Sequence, residues 1–443
     1  MLPRLLLLIF GLLLLAAAPA QAMPAGAVTV TGKAADCAGG RGAPCKVVVR
    51  GLMNPITGVF SDDGRSFYVG SLGNGAVVAF ARDSTTGRLS PVAGGAACIG
   101  FQLGCERSAH PMPYALAITH DGRFLYAGGA GNEDGLLAFT RDATSGALAP
   151  AGCLRDYRDA CTHPGGSGDG DLRALEVSPD DRFIMSATGT GVGVVNRDPA
   201  TGALSQTPGN CVIGEDRYNS YDEPSKGCRV DERIGRPMEM DLSPDGATLY
   251  VAAEEGQRGS GGVLVFARDA ASGQITLIQR VGAGFYEVQV SPDGRSVYAV
   301  TEDFDVHAFA RDPATGALTR IAGKRGCIAF AKGCTALKGV SSPEDVRVSP
   351  DGRYVYFAAA EGVSVLRRAA DGGLSQVKGK AACNVMPDKF DTPALRRQCH
   401  HGRYELPGLT GFEVAPGGRD LYALESAYHN GFGTGVVQLM HRH

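Results

Sequence analysis

From residue 55 onward, apolar and polar residues alternate in short stretches, each closed by a turn rich in Gly, Asp or Pro. Glu287-Val288-Gln289-Val290 is one such stretch, and a period of two places every second side chain on one face of a strand. Asp293-Gly294 then predicts a tight turn, Ser296 to Val300 a second strand and Val306 to Ala310 a third. The turn from Asp312 to Gly316 leads to a fourth strand near Leu318 to Ala322. No 3.6-residue helical period is convincing after residue 22.

This four-strand unit recurs seven times. Its first half reads SDDGRSFYV at Ser61, THDGRFLYA at Thr119, SPDDRFIMS at Ser178, SPDGATLYV at Ser243, SPDGRSVYA at Ser291, SPDGRYVYF at Ser349 and APGGRDLYA at Ala415. Successive starts lie 58, 59, 65, 48, 58 and 66 residues apart. The second half, as in FARDPATGAL from Phe309, weakens to LRRAADGGL from Leu366, and the seventh copy is cut short at Val436 to Leu439. Seven units of four short antiparallel strands predict an all-β fold, a seven-bladed β-propeller. The early segment AVTVTGKAADC resembles the outer-strand endings SPVAGGAAC and SQVKGKAAC. An N-terminal strand is therefore expected to complete the last blade and remove an open edge.

Residues 1–22 carry one early charge at Arg4, an apolar run from Leu5 to Leu15 and the ending Ala20-Gln21-Ala22, the pattern of a signal peptide cleaved near Ala22. Residues 23–443 are then one exported propeller domain, secreted or periplasmic and expected to be a monomer. No later stretch approaches the ~18 apolar residues of a membrane span. Net charge is −3 with both signs interspersed and no basic run, so nothing points to a nucleic-acid partner or an anionic membrane surface.

Twelve cysteines fall into six neighbouring couples: Cys37 with Cys45, Cys98 with Cys105, Cys153 with Cys161, Cys211 with Cys228, Cys327 with Cys334, and Cys383 with Cys399. Each couple lies between the outer strand of one blade and the inner strand of the next, and only the crossover after blade four lacks one. An even count in an exported protein, with this placement, predicts six local disulfides. No CxxC spacing occurs, which argues against zinc.

The Asp-Gly-Arg and Arg-Asp-x-x-Thr-Gly elements have a sufficient reading as turn chemistry. The opposite face carries the variable insertions, Cys153 to Asp171, Glu215 to Glu232 and Asn384 to His401, and is the candidate binding face. Aligned on their turns, the inner strands place Glu176, Glu239, Asp241, Glu287, Asp345 and Glu413 toward the central channel, with Arg347 the one basic residue. Loop acids Glu254, Glu302, Glu361 and Glu425 come from the same side of the ring. Converging carboxylates repel unless neutralised, so either Ca²⁺ held by Glu239, Glu287 and Asp345, or pairing with Arg236, Arg347 or water, is expected. No cofactor is otherwise required. His110, His163, His400, His401 and His429 map to the variable face without forming a motif, and no Gly-x-Ser-x-Gly or HExxH pattern is present. The run Gly165 to Asp171 reads as a flexible loop.

The repeat SPDGRxxY followed by VxxFxRDxxTGxL resembles the lactonase-type seven-bladed propellers, the family that includes 6-phosphogluconolactonase-like and carboxymuconate-cyclase-like proteins. The likeness covers essentially all of residues 23–443. That family places a Gly-Pro-Arg-His run on an inner strand and an Asn-Glu pair after the next strand. The matching run here is Gly235-Arg236-Pro237-Met238-Glu239, with Glu254 at the later Glu; Glu239 stands where the family has His, Met238 where it has Arg and Ala253 where it has Asn. Blade five supplies Tyr286-Glu287 and Glu302, and Arg173 is the one arginine at the matching place of blade three.

Two functions follow as expectations. The first is a rigid binding scaffold for a small molecule, glycan or protein. The second, implied by the resemblance, is hydrolysis or isomerisation of a sugar or carboxylated lactone. In it Glu239, Glu254, Glu287 and Glu302 activate water or act as base, and Arg173 or Arg236 holds a carboxylate.

Overall fold

The computed structural model describes residues 28–443 apart from 31–33, 41–42, 44, 94–96, 101–104, 107–111, 131–134, 156–171, 215–226, 257–258, 330–332, 386–392, 402–407 and 430–431. Seven separate antiparallel sheets follow one another along the chain. The blade-five strands are Phe285–Val290, Ser296–Thr301, Val306–Arg311 and Leu318–Arg320, within a residue or two of the sequence expectation. Inner strands neighbour one another in cyclic order, and that of blade seven, Leu409–Val414, returns to that of blade one, Pro55–Phe60.

The ring closes as expected. Val28–Val30 and Cys37–Gly39 both pair with the last strand, Phe432–Arg442, and supply the outer strand of blade seven. Among the described residues no helix is long and apolar enough to cross a membrane. One short helix, Pro393–Gln398, sits in the blade-six insertion; at six residues it is too brief to print a period in the sequence.

The strand-turn signature does more than turn. In five blade joints the buried Tyr of the second strand donates its hydroxyl hydrogen to the turn glycine carbonyl of the next blade and accepts from that blade's Arg. Tyr250 reaches the Gly316 carbonyl at 2.7 Å and receives Arg311 Nε at 2.8 Å. Tyr68 with Arg141, Tyr126 with Arg197, Tyr298 with Arg368, and Tyr422 with Arg82 across the closure repeat the arrangement. Blade three has Met185 in place of the Tyr. Arg268 of blade four is consequently buried with Nε and Nη2 lacking hydrogen bonds, and Asp180 stands only 3.7 Å away. Met185→Tyr is expected to stabilise the fold by about 1–2 kcal/mol by restoring a hydrogen bond to a charged group. Thermal unfolding measures this, and a lowered melting temperature would show that the Met185 pocket has no room for the ring.

Cys37–Cys45, Cys98–Cys105, Cys211–Cys228, Cys327–Cys334 and Cys383–Cys399 are disulfides. Cys153 is also disulfide-bonded, while Cys161 lies outside the described residues. Their placement refines the expectation. The first Cys does not follow the outer strand but stands in its second half, as Cys327–Ile328 lies against the same third strand as Leu318–Arg320. Just past the second Cys the backbone pairs in parallel with that outer segment: Ile99 with Glu106, Val212 with Arg229, Ile328 with Thr335, Asn384 with His400. These four bridges thus each hold a short strap over a blade edge, covering unpaired backbone groups. Each loop closure contributes about 2–3 kcal/mol in the chain-entropy model.

Candidate active site

Near the start of six inner strands the register with the second strand slips by one residue, leaving Ile56, Tyr114, Arg173, Met238, Tyr286 and Thr410 as the extra residue. Such bulges bend a strand and re-aim side chains. They lie at the channel end that the sequence-predicted site residues share, just before Glu239 and Glu287.

Below the bulges the polar inner-strand positions converge on Arg347. Its guanidinium reaches Asp345 at 2.6 Å, Glu287 of blade five at 3.1 Å and Glu413 of blade seven at 3.2 Å, so one side chain ties three consecutive blades. Asp241 accepts the Val290 N–H at 2.7 Å and Asp345 accepts the Phe412 N–H at 2.9 Å, each stitching its blade to the next. Glu239 accepts the N–H of its neighbour Met240 at 3.0 Å.

Burial, the largest cause, pushes the Glu239, Asp241 and Glu413 carboxyls up to about 7, against the pull of Arg347. Glu287 and Glu176 are held well above the ordinary carboxylate range by burial and then by neighbouring carboxylates. Asp345 is raised by burial, with Arg347 opposing. Two carboxyls that cannot both ionise share protons, so near neutral pH this cluster holds both proton acceptors and proton donors.

The positive charge at the centre is the guanidinium of Arg347, one of the partners the sequence allowed. Among the described residues no three His, Cys, Asp or Glu side chains form a group that could hold a metal ion. The loop acids separate from the cluster. Glu254 pairs with Arg236 at 2.9 Å, and Glu302 accepts the Glu255 N–H at 2.6 Å, both at the rim. Glu361 accepts from Ser341. Glu425 is fully buried with neither carboxylate oxygen hydrogen-bonded, and burial pushes it up to about 8.

Arg173, one of the two arginines expected to hold a substrate carboxylate, differs from the others in its partners. Arg236 and Arg347 are both tied to carboxylates, whereas the Arg173 hydrogen bond is Nη1 to Met238 Sδ at 3.0 Å, and its buried Nε has no partner. Met238 is the bulge residue directly before Glu239, so this guanidinium meets blade four one residue ahead of a channel carboxyl. His110, His163 and the run Gly165 to Asp171 lie outside the described residues, as do the side chains of His401 and His429.

A disulfide-strapped seven-bladed propeller with an acidic, arginine-centred channel is the class of protein these features define. The family model described as "Lactonase, 7-bladed beta-propeller" matches residues 55–217 and 230–330, and the chain belongs to this family. A search of curated proteins finds none that matches.

Among solved structures, a candidate 6-phosphogluconolactonase from Bacteroides fragilis is 18% identical with a TM-score of 0.52, the match covering 84% of this chain and 93% of that one. The periplasmic gluconolactonase of Pseudomonas aeruginosa is 21% identical with a TM-score of 0.51, covering 73% and 84%. The hydrazine synthase of Kuenenia stuttgartiensis is 17% identical with a TM-score of 0.51, covering 89% and 97%. At these identities the likeness is one of fold, and the fold serves more than one chemistry.

Proposed function

We propose that the protein is an exported lactone hydrolase working without a resident metal, with the channel carboxyls as acid and base. The observation that carries this reading is the convergence of channel carboxyls on Arg347, Glu287 by contact and Glu239 through its charge, with the Arg173 guanidinium, which has no carboxylate partner among the described residues, bound to Met238 beside Glu239. Glu239, ionised in part at neutral pH, takes a proton from water as the oxygen adds to the lactone carbonyl carbon. Arg173 donates hydrogen bonds to the oxyanion that forms. Collapse breaks the ring C–O bond, and neutral Glu287 protonates the departing alkoxide. A proton passing from Glu239 to Glu287 through the shared cluster restores both, and the hydroxy acid formed releases its own proton to solvent.

Family membership supports a lactone as the substrate, and the channel's charge argues for an unphosphorylated one. The ionised carboxyls among the six, set around a single paired arginine, repel a phosphate dianion. Export is supported by the leader pattern and the disulfides. The scaffold reading instead uses the variable loop face, for binding alone.

A pH-stat assay of the purified protein with D-glucono-1,5-lactone, D-glucono-1,4-lactone and a muconolactone separates the two. Turnover above the spontaneous rate for at least one lactone is expected. Failure with all three would overturn hydrolysis and leave the scaffold.

A further inference from the structure

The turn between the second and third strands of blade five holds a bulky residue where the backbone favours glycine. Phe304 has φ of 63° and is 39% exposed. At the same turn of blade one the left-handed position belongs to Gly75, with φ of 54°. Both turns close the same way, Gly75 N–H to the Leu72 carbonyl at 3.2 Å and Phe304 N–H to the Thr301 carbonyl at 2.9 Å. A Phe in this region is strained, and such strain persists where a side chain is needed for something other than the fold.

The Phe304 ring meets Tyr286 edge-on, centroids 6.1 Å apart at 71°. Tyr286 is the blade-five bulge residue beside Glu287, and its hydroxyl is tied to the Pro343 carbonyl at the entry to blade six. The aromatic pair therefore flanks the channel mouth. Carboxylates border it on both sides. Asp303 is exposed and makes no hydrogen bond or ion pair among the described residues, and Asp305 is raised by partial burial and then by Asp303. An open aromatic face between carboxylates matches a sugar ring, whose C–H face packs on the ring while its neighbouring hydroxyls donate to the acids. Among the described residues the other large exposed apolar side chains are Val48, Met112, Val230 and Ile278, each in a different element from Phe304. One isolated aromatic is too small for a protein interface, which buries about 800 Å² per partner.

We propose that Phe304 and Tyr286, with Asp303 and Asp305, form a sugar-ring subsite at the channel mouth. It rests on the lactonase reading only in naming a sugar lactone as the substrate held there.

The protein contains no Trp, so Phe304→Trp places a single fluorophore on the platform while keeping an aromatic face. Methyl β-D-glucopyranoside, a ring that can neither open nor hydrolyse, is expected to shift its emission saturably, and the acyclic alditol D-glucitol is not. Phe304→Gly is expected to keep or raise the melting temperature, because glycine suits the left-handed backbone. The same variant should weaken glucoside binding in calorimetry at least tenfold. A flat emission titration would overturn the subsite, as would a response to oligolysine but not to the glucoside, or a Phe304→Gly variant that melts lower and binds unchanged. None of these readouts needs turnover. If no lactone is hydrolysed but the glucoside still titrates, hydrolysis alone fails; if lactones are hydrolysed and the glucoside does not titrate, the subsite alone fails.

Discussion

Glu239→Gln is expected to lower kcat/KM for the lactone by about 10²–10⁴-fold, the usual worth of a positioned general base. The amide keeps the volume, and its oxygen can still accept the Met240 N–H that Glu239 accepts at 3.0 Å. What it loses is the ability to take a proton. In the unsubstituted protein the rate should climb with pH through about 7 as the buried carboxyl ionises. That limb belongs to the coupled cluster rather than to one residue, since Asp345 and Asp241 repel the same charge. The variant should lose most of the limb along with the rate. Glu254→Gln at the rim, where Glu254 pairs with Arg236, should cost far less. A pH-stat profile of the three proteins, alongside their thermal melts, checks both effects. An unimpaired Glu239→Gln variant would remove this residue from the chemistry.

Arg347→Met is expected to cost about 3–5 kcal/mol of stability near pH 8, because breaking a buried ion pair leaves uncompensated charge. Here three carboxylates lose their partner at once. The pH dependence gives the cause. The channel carboxyls titrate higher in the folded protein than in the unfolded one. Their contribution is fully present below the ordinary carboxylate range and is lost as pH rises through about 7.

The unsubstituted protein should therefore weaken between pH 5 and pH 8. The variant should weaken more steeply, since Arg347 is what opposes the upward shifts. Below about pH 4 the sign reverses. Asp83, Asp142, Asp198, Asp269 and Asp312 are lowered by backbone and hydroxyl hydrogen bonds in their turns, and their contribution fades as they protonate. Thermal or urea unfolding at pH 5 and pH 8 measures this. An equal loss at both pH values would show that Arg347 acts by packing, and a Ca²⁺-dependent rise in melting temperature after chelation would assign the counter-charge to a metal.

Much of this arrangement is legible in the amino-acid sequence. The Ser-Pro-Asp-Gly turn fixes the strand register to the residue, so counting back from it places Glu239, Glu287 and Asp345 on adjacent inner strands, and the structure pairs them with Ala252, Val300 and Ala358 of their second strands. The Cys couples mark the blade boundaries for the same reason. The Tyr–Arg clamps are not legible, because Tyr250 and Arg311 each have a sufficient local reading and their contact crosses 61 residues. The bulges escape too, since a one-residue slip leaves no mark on a period of two. They decide that Arg173 and Tyr286 sit at the channel mouth rather than on a regular strand.

The sequence alone determined a closed ring of seven blades, because alternation and turn chemistry act within a few residues and repeat. It also placed acids in the channel, because a regular strand turns a fixed position to a fixed side. Only the tertiary structure decided which charges meet. Arg347, Glu287 and Glu413 come from three blades and are brought together by the curvature of the ring. It is also what separated Arg236, held by Glu254, from Arg173, which has no carboxylate partner among the described residues. Coulomb energy depends on distance through space, and the ring makes neighbours of residues some 60 positions apart in the sequence.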